Sequence, residues 1–194
     1  MSFITSEHEE FRRAVRRFTE EEIIPIASEL DAKNAEIPME IISKMAEQGY
    51  FGVLFPEEYD GLGLDNITMT IVAEELSKGW LSVGSVMTRG VIMGTLLQAH
   101  GTEEQKKKYL PGLATGSILP AAAFTEPDSG SDSASMIMKA TKTDGGYLLN
   151  GAKAWCTYAN RANVLMVLAR TNPDTSLRHK GLSAYPYRVF LFYH

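Results

Sequence analysis

A change of hydrophobic rhythm at Ile118 divides this 194-residue chain into two kinds of sequence. Upstream, apolar residues recur at the 3.6-residue spacing of one helix face; downstream, they fall into short runs cut by turn residues. A pattern of helical period does not settle into a sheet, so a domain boundary is expected near Ser117. The fold class read from this is α+β, with an N-terminal all-helical domain over residues 1–117 followed by a β domain over 118–185. A hydrophobic content of 44% suits a packed core in both.

Within the first part, Ser6-Glu7-His8-Glu9 reads as a capping box that opens a helix carrying Phe11, Val15 and Phe18. Pro25 lacks an amide donor, so a kink or restart is expected there, with Ile26 and Leu30 continuing the apolar stripe to about Asn34. A second helix can start at Pro38 and stop at Gly49. A third is expected over 66–78 with Gly79 as its cap, and a fourth over about 83–100. Thr102-Glu103-Glu104-Gln105 is a second capping box, opening a short helix that Pro111 closes. Gly61-x-Gly63 resembles half of a dinucleotide loop, but Asn66 stands where a third glycine belongs and no βαβ pattern precedes it, so it reads as a surface turn.

In the second part the runs are 118–124, 136–143, 147–155, 163–170 and 182–185. Asp144-Gly145-Gly146 reads as a hairpin turn and Asn150-Gly151 as a tight turn or bulge. A net charge of −5 argues against nucleic acid as an obligate partner, and Lys106-Lys107-Lys108 reads as a solvated helix face. No apolar stretch is long enough to cross a bilayer and the N-terminus carries acids where a secretory signal needs an apolar run, so a cytoplasmic location is expected. A single cysteine, Cys156, and four histidines without ligand spacing leave no basis for a structural metal or a dithiol.

Chemistry concentrates in FTEPDSGSDSA, which begins at Phe124, and in Lys153-Ala154-Trp155-Cys156-Thr157. Two hydroxyl residues, a glycine turn and a tryptophan on neighbouring β segments can form a flat-faced, polar-edged slot of the kind a flavin ring needs. Each residue also has a plainer reading. Thr125 and Thr157 suit strands, Ser131 and Asp132 can satisfy turn amides, Trp155 can fill a core, and Cys156 is a small buried hydrophobe. Glu126 reads as a structural carboxylate rather than a base.

Several segments in one order (EEIIPIASELD, PEEYDGLGL, VAEELS, GTEEQKKKYLPGLATGS, FTEPDSGSD and NGAKAWCTYANRANVLMVLART) make the chain similar to the acyl-CoA dehydrogenase family. That resemblance implies an N-terminal helical domain, a middle β-barrel domain and a C-terminal helical bundle, of which the last is missing here and the barrel is incomplete. It implies FAD as cofactor: Phe124 and Thr125 on the pyrimidine edge, Gly130 and Ser131 on flavin phosphate or the thioester arm of the substrate, Trp155 against the ring and Thr157 toward N5. It further implies α,β-dehydrogenation of an acyl-CoA to trans-2-enoyl-CoA, an electron-transfer flavoprotein as oxidant, and a homotetramer or homodimer.

The catalytic glutamate of the family lies in the C-terminal bundle, so no catalytic residue is assigned within these residues. Residues 186–194 read as a nonhomologous aromatic tail on a truncated chain, one that binds FAD weakly and turns over no substrate. The stretches LSVGSVMTRGVIMGTLLQAHGTEEQ and WCTYANRANVLMVLARTNP resemble the branch acting on (2S)-methylsuccinyl-CoA, whose carboxylate wants a cation such as Arg89 or Arg161. An acyl-CoA oxidase and a noncatalytic interaction module are the alternatives.

Overall fold

The computed structural model describes residues 3–188, which form two compact units divided between Leu119 and Pro120. The expected tail residues 189–194 lie outside the described residues.

Unit one is helical: α1 (Ser6–Phe18), a π turn (Thr19–Ile23), α2 (Ile24–Ala32), α3 (Met39–Glu47), α4 (Asn66–Gly79), α5 (Leu81–His100) and α6 (Glu103–Ala114). Its core takes Val15, Ile23, Met45, Phe55, Ile71, Leu76, Met87, Met93 and Leu110, all essentially without solvent contact. The first capping box sits one residue earlier than its sequence pattern suggested. Thr5 caps α1 by accepting from the His8 amide, and the His8 ring supplies the return acceptor for the Thr5 amide. With Nδ1 accepting, the other ring nitrogen is the donor, and it meets Asp65 Oδ2 at 3.1 Å. Asp65 in turn caps α4 by accepting from the Thr68 amide, so one histidine joins two helix starts.

Of three prolines, Pro25 marks a helix restart, one of its two expected outcomes, while Pro111 and Pro38 differ from expectation. The first helix does not kink at Pro25; it widens a turn earlier into the π segment, where the Ile24 amide reaches back to the Thr19 carbonyl. The extra residue places Pro25 in the first turn of α2, where no amide donor is required. Pro111 does not close α6, which runs on to Ala114 because Leu113 and Ala114 are buried. The Pro111 carbonyl then accepts both the amide and the hydroxyl of Thr115. Pro38 is the cap of α3 rather than its first residue, and Gly49 ends that helix at φ +72°.

Charge ties α1 to α4. Glu75, 1% exposed, receives Arg16 Nε and Nη2 at 3.0 Å each, Arg12 Nη1 at 2.9 Å and Lys78 Nζ at 2.9 Å. Hydrogen bonds, first from Arg16 and then from Lys78 and Arg12, outweigh the cost of burial and pull its carboxyl down from 4.5 to about 2. Gly79 closes the same helix against the π turn. A Cβ there would lie 2.5 Å from Thr19 Cγ2 and 3.0 Å from Ile23 Cγ2.

Unit two is a five-stranded sheet: β1 (Pro120–Ala123), β2 (Lys139–Thr143), β3 (Gly146–Asn150), β4 (Val164–Arg170) and β5 (Leu182–Arg188). β1 and β4 pair in parallel with Ala123 opposite Val167, while β2 and β3 form the expected hairpin around Asp144 and Gly145. β2 touches β4 only where Lys139 meets Arg170. β5 runs antiparallel to β4 and continues beyond Tyr185, with Pro186 opposite Met166 and Tyr187 opposite Leu165. Parallel neighbours require a crossover, and here it is the long excursion between β1 and β4 that carries both motifs of interest.

Because the folded Glu75 carboxyl titrates below its ordinary value, its stabilising contribution is complete above about pH 4.5 and is lost as pH falls toward 2. Glu75→Gln is expected to lower unfolding free energy at pH 7 by about 2–3 kcal/mol and to flatten the fall of stability between those pH values, as read by urea titration. Gly79→Ala should cost about 1–3 kcal/mol by overpacking, and adding Thr19→Ser, which deletes the clashing methyl, should recover part of that in a double-mutant cycle.

Candidate functional site

The FTEPDSGSD loop leaves the end of β1 and is held by its own backbone and by one buried carboxylate. Glu126 and Ser129 exchange amide–carbonyl bonds of 2.9 and 3.2 Å, closing a turn over Pro127 and Asp128. Ser129 Oγ donates to the Asp132 carbonyl at 2.8 Å, Asp132 accepts from the Ser135 hydroxyl, and Arg178 Nη2 reaches Asp132 at 3.1 Å. Glu126, 4% exposed, accepts from the amides of Ile137 (2.7 Å) and Met138 (2.9 Å) and from Lys153 Nζ (3.0 Å). Burial opposes its charge, yet these donors hold the carboxyl below its ordinary value. Arg170, equally buried, donates Nε to the Met136 carbonyl at 3.0 Å and Nη2 to that of Ala134 at 2.7 Å.

The tryptophan segment differs from its sequence reading. The run expected as a strand over 147–155 stops at Asn150, since Gly151 takes φ +152° and a side chain there would meet Met138. Residues 151–162 form a loop instead. Trp155 adopts φ +55° and Tyr158 φ +70°, left-handed conformations that cost a non-glycine residue about 1–2 kcal/mol each. The Thr157 amide donates to the Trp155 carbonyl at 3.0 Å, and Arg161 lies 5.6 Å from the Tyr158 ring. Trp155 is 88% exposed, so it is not core, and Cys156 is half-buried rather than buried.

Three bonds bring the two motifs together. Lys153 Nζ donates to the Phe124 carbonyl at 2.9 Å, the Ala154 amide to the Thr125 carbonyl at 2.9 Å, and Lys153 Nζ to Glu126. Phe124 and Thr125, half-buried, therefore stand beside the exposed Trp155 and Thr157. Gly130 and Ser131 lie on the exposed crest of the loop, and a Cβ at Gly130 would meet nothing within 4 Å. A recess of about 370 Å³ opens beside this cluster, lined by Glu126, Ile137, Lys139 and Gly151, and none of the six expected flavin contacts lines it. Four of the six, Phe124, Thr125, Trp155 and Thr157, lie on the two joined segments and form a ledge that offers an exposed indole, hydroxyls and backbone groups. Lys153 and Arg170 were given no role by the sequence, since their partners lie 27 and 34 residues away.

Among the described residues, no group of three or more histidine, cysteine, aspartate or glutamate side chains could hold a metal ion, and no helix is long and apolar enough to cross a membrane.

The acyl-CoA dehydrogenase N-terminal domain model matches residues 5–117, and the acyl-CoA dehydrogenase middle domain model matches residues 121–186. A (2S)-methylsuccinyl-CoA dehydrogenase of Cereibacter sphaeroides is 42% identical over 184 residues, covering 95% of this chain and 33% of its own length. A solved glutaryl-coenzyme A dehydrogenase in complex with glutaryl-CoA superposes with a TM-score of 0.89 at 34% identity, covering 97% of this chain and 48% of that one. A glutaryl-CoA dehydrogenase from Mycobacterium smegmatis in complex with FADH2 gives a TM-score of 0.84 at 26% identity, covering 95% and 46%. The chain spans about a third to a half of the length of the curated relatives it matches. With both domain models matched in order, and a helical unit preceding a β unit as the resemblance implied, this chain belongs to the acyl-CoA dehydrogenase family.

Proposed function

We propose that these residues form the helical and flavin-holding parts of an acyl-CoA dehydrogenase that removes hydrogen across Cα and Cβ of an acyl-CoA to give trans-2-enoyl-CoA. The observation that carries the reading is Trp155, a large indole held in solvent at left-handed φ and joined to Thr125 through the Ala154 amide. An apolar ring kept out of the core at backbone cost suits a surface awaiting a flat partner. The family is FAD-dependent, and the donor set fits that cofactor: Thr125 and the Phe124 backbone for the polar pyrimidine edge, Trp155 for the ring face, Thr157 toward N5, and Gly130 with Ser131 for phosphate or the thioester arm. Bound FAD would supply an acceptor for the β-hydrogen as hydride and, in this reading, an outlet for the electrons to an electron-transfer flavoprotein. The hydroxyls of Thr125 and Thr157 orient the ring, and Trp155 shields one face from water.

Removal of the α-proton needs a carboxylate with an open lone pair within reach of the substrate. Glu126 does not qualify, because two amides and an ammonium occupy it in a buried position. The base in this reading is the glutamate that the resemblance places in a C-terminal helical bundle, so these residues supply binding and orientation only. Assembly as a homotetramer or homodimer belongs to the same reading.

Arg89 favours a carboxylated acyl chain. Its Nη2 donates to Ser85 Oγ at 2.8 Å, while its buried Nε has no acceptor among the described residues. A guanidinium with a spare buried donor suits a free carboxylate at the far end of the acyl chain, such as that of methylsuccinyl-CoA, the substrate named for the Cereibacter relative.

FAD titrated into the chain and followed by flavin fluorescence should show weak saturable binding, made about three- to tenfold weaker by Trp155→Ala, whose exposed side chain is not needed for folding. No saturable binding would sink the flavin reading. In an enzyme carrying these residues with a C-terminal bundle, Arg89→Met should lower kcat/KM for methylsuccinyl-CoA by about 10–100-fold and leave butyryl-CoA nearly untouched. Equal losses on both substrates would remove the case for a carboxylated substrate.

A further inference from the structure

We infer that Lys153 is a positioning residue for the flavin ledge: its ammonium, bridging the Phe124 carbonyl and the Glu126 carboxylate, sets Thr125 and Trp155 at a fixed separation. The inference rests on the flavin reading above and goes beyond it, since Lys153 itself is none of the six cofactor contacts.

Lys153 Nζ is a buried cation, its side chain 9% exposed, with both acceptors on the opposite segment at 2.9 and 3.0 Å and Met136 Sδ at 3.7 Å. The next residue adds the Ala154 amide to the Thr125 carbonyl at 2.9 Å. Residues 124, 125 and 126 are thus each held by a bond from 153 or 154, and three of the six cofactor contacts, Phe124, Thr125 and Trp155, lie within this clamp or one step outside it. Thr125 is the middle residue of the clamped three, and Trp155 follows the clamping pair. Surface loops seldom hold a geometry to fractions of an ångström without such support, and here neither loop belongs to a strand. The buried charge also explains why the pair persists. Removing the ammonium would strand Glu126 with only two amides and leave the Phe124 carbonyl without this donor.

The bond from Ala154 to Thr125 gives a readout that needs no cofactor. Amide hydrogen exchange and FAD titration would be measured on the 194-residue chain, unaltered and as Lys153→Met, Lys153→Arg and Trp155→Ala. In Lys153→Met, Ala154 should exchange faster and FAD should bind more weakly, each on the order of tenfold, the scale on which groups one step behind a ligand act. The β4–β5 amides should keep their protection, and Lys153→Arg, which retains the charge, should fall between. Unchanged Ala154 exchange and FAD affinity in Lys153→Met, with Trp155→Ala still weakening FAD, would overturn the positioning role and leave the flavin reading standing. If Lys153→Met also loses β4–β5 protection, Lys153→Arg decides. A severalfold weaker FAD affinity with β4 intact supports the role, and the unaltered chain's affinity overturns it. Absence of FAD binding by the unaltered chain overturns the flavin reading and the positioning role together.

Discussion

The β unit turns on one buried carboxylate. Glu126 sits where the chain leaves β1, and it collects two amides from the segment entering β2 and an ammonium from the segment leaving β3. Its burial is tolerable only because every donor arrives, and each donor arrives only if the crossover between β1 and β4 has folded back on itself. Arg170 answers from the far end of β4, taking the carbonyls of Ala134 and Met136. Between them the two groups brace the irregular stretches that flank the β2–β3 hairpin within the crossover.

The helical unit solves a similar problem with the opposite polarity of exposure. Glu75 gathers three cations that each retain partial access to water, so the charge is satisfied at the edge of the core rather than sealed inside it. His8 and Asp65 join the starts of α1 and α4, and Glu75 joins their middles. Registry between these two helices is therefore fixed at two heights by polar groups, while Val15, Ile71 and Leu76 supply the apolar burial.

Much of this was written in local sequence, and the remainder in contacts that local sequence does not carry. Thr102 with Gln105, Gly49 at positive φ, and Asp144 with Gly145 announce their structures because the stereochemistry involves only neighbours. The π turn does not, since no residue type marks it; it follows from Pro25 and from how closely Gly79 approaches Thr19. The stretch from Tyr147 to Trp155 reads as one run with a tight turn or bulge at Asn150-Gly151, and the clash that Gly151 avoids against Met138 shows that this turn ends the strand rather than bending it. Of the ledge, the hydroxyls and the indole were visible as residue types. The cations that hold their backbones in place were not, because a lysine in KAWCT looks solvated until its carboxylate partner is known.

The parallel pairing of β1 with β4 has a consequence for synthesis on the ribosome. Pro120 through Ala123 leave the exit tunnel early, yet they gain a sheet neighbour only when Val164 through Val167 have followed. Until then Phe124 and Thr125 belong to an unanchored thread, and closing so wide a loop is opposed by chain entropy. A nascent polypeptide of this type therefore passes through a stage in which the helical unit can be complete while the ledge does not yet exist, and any cofactor must wait for that late closure.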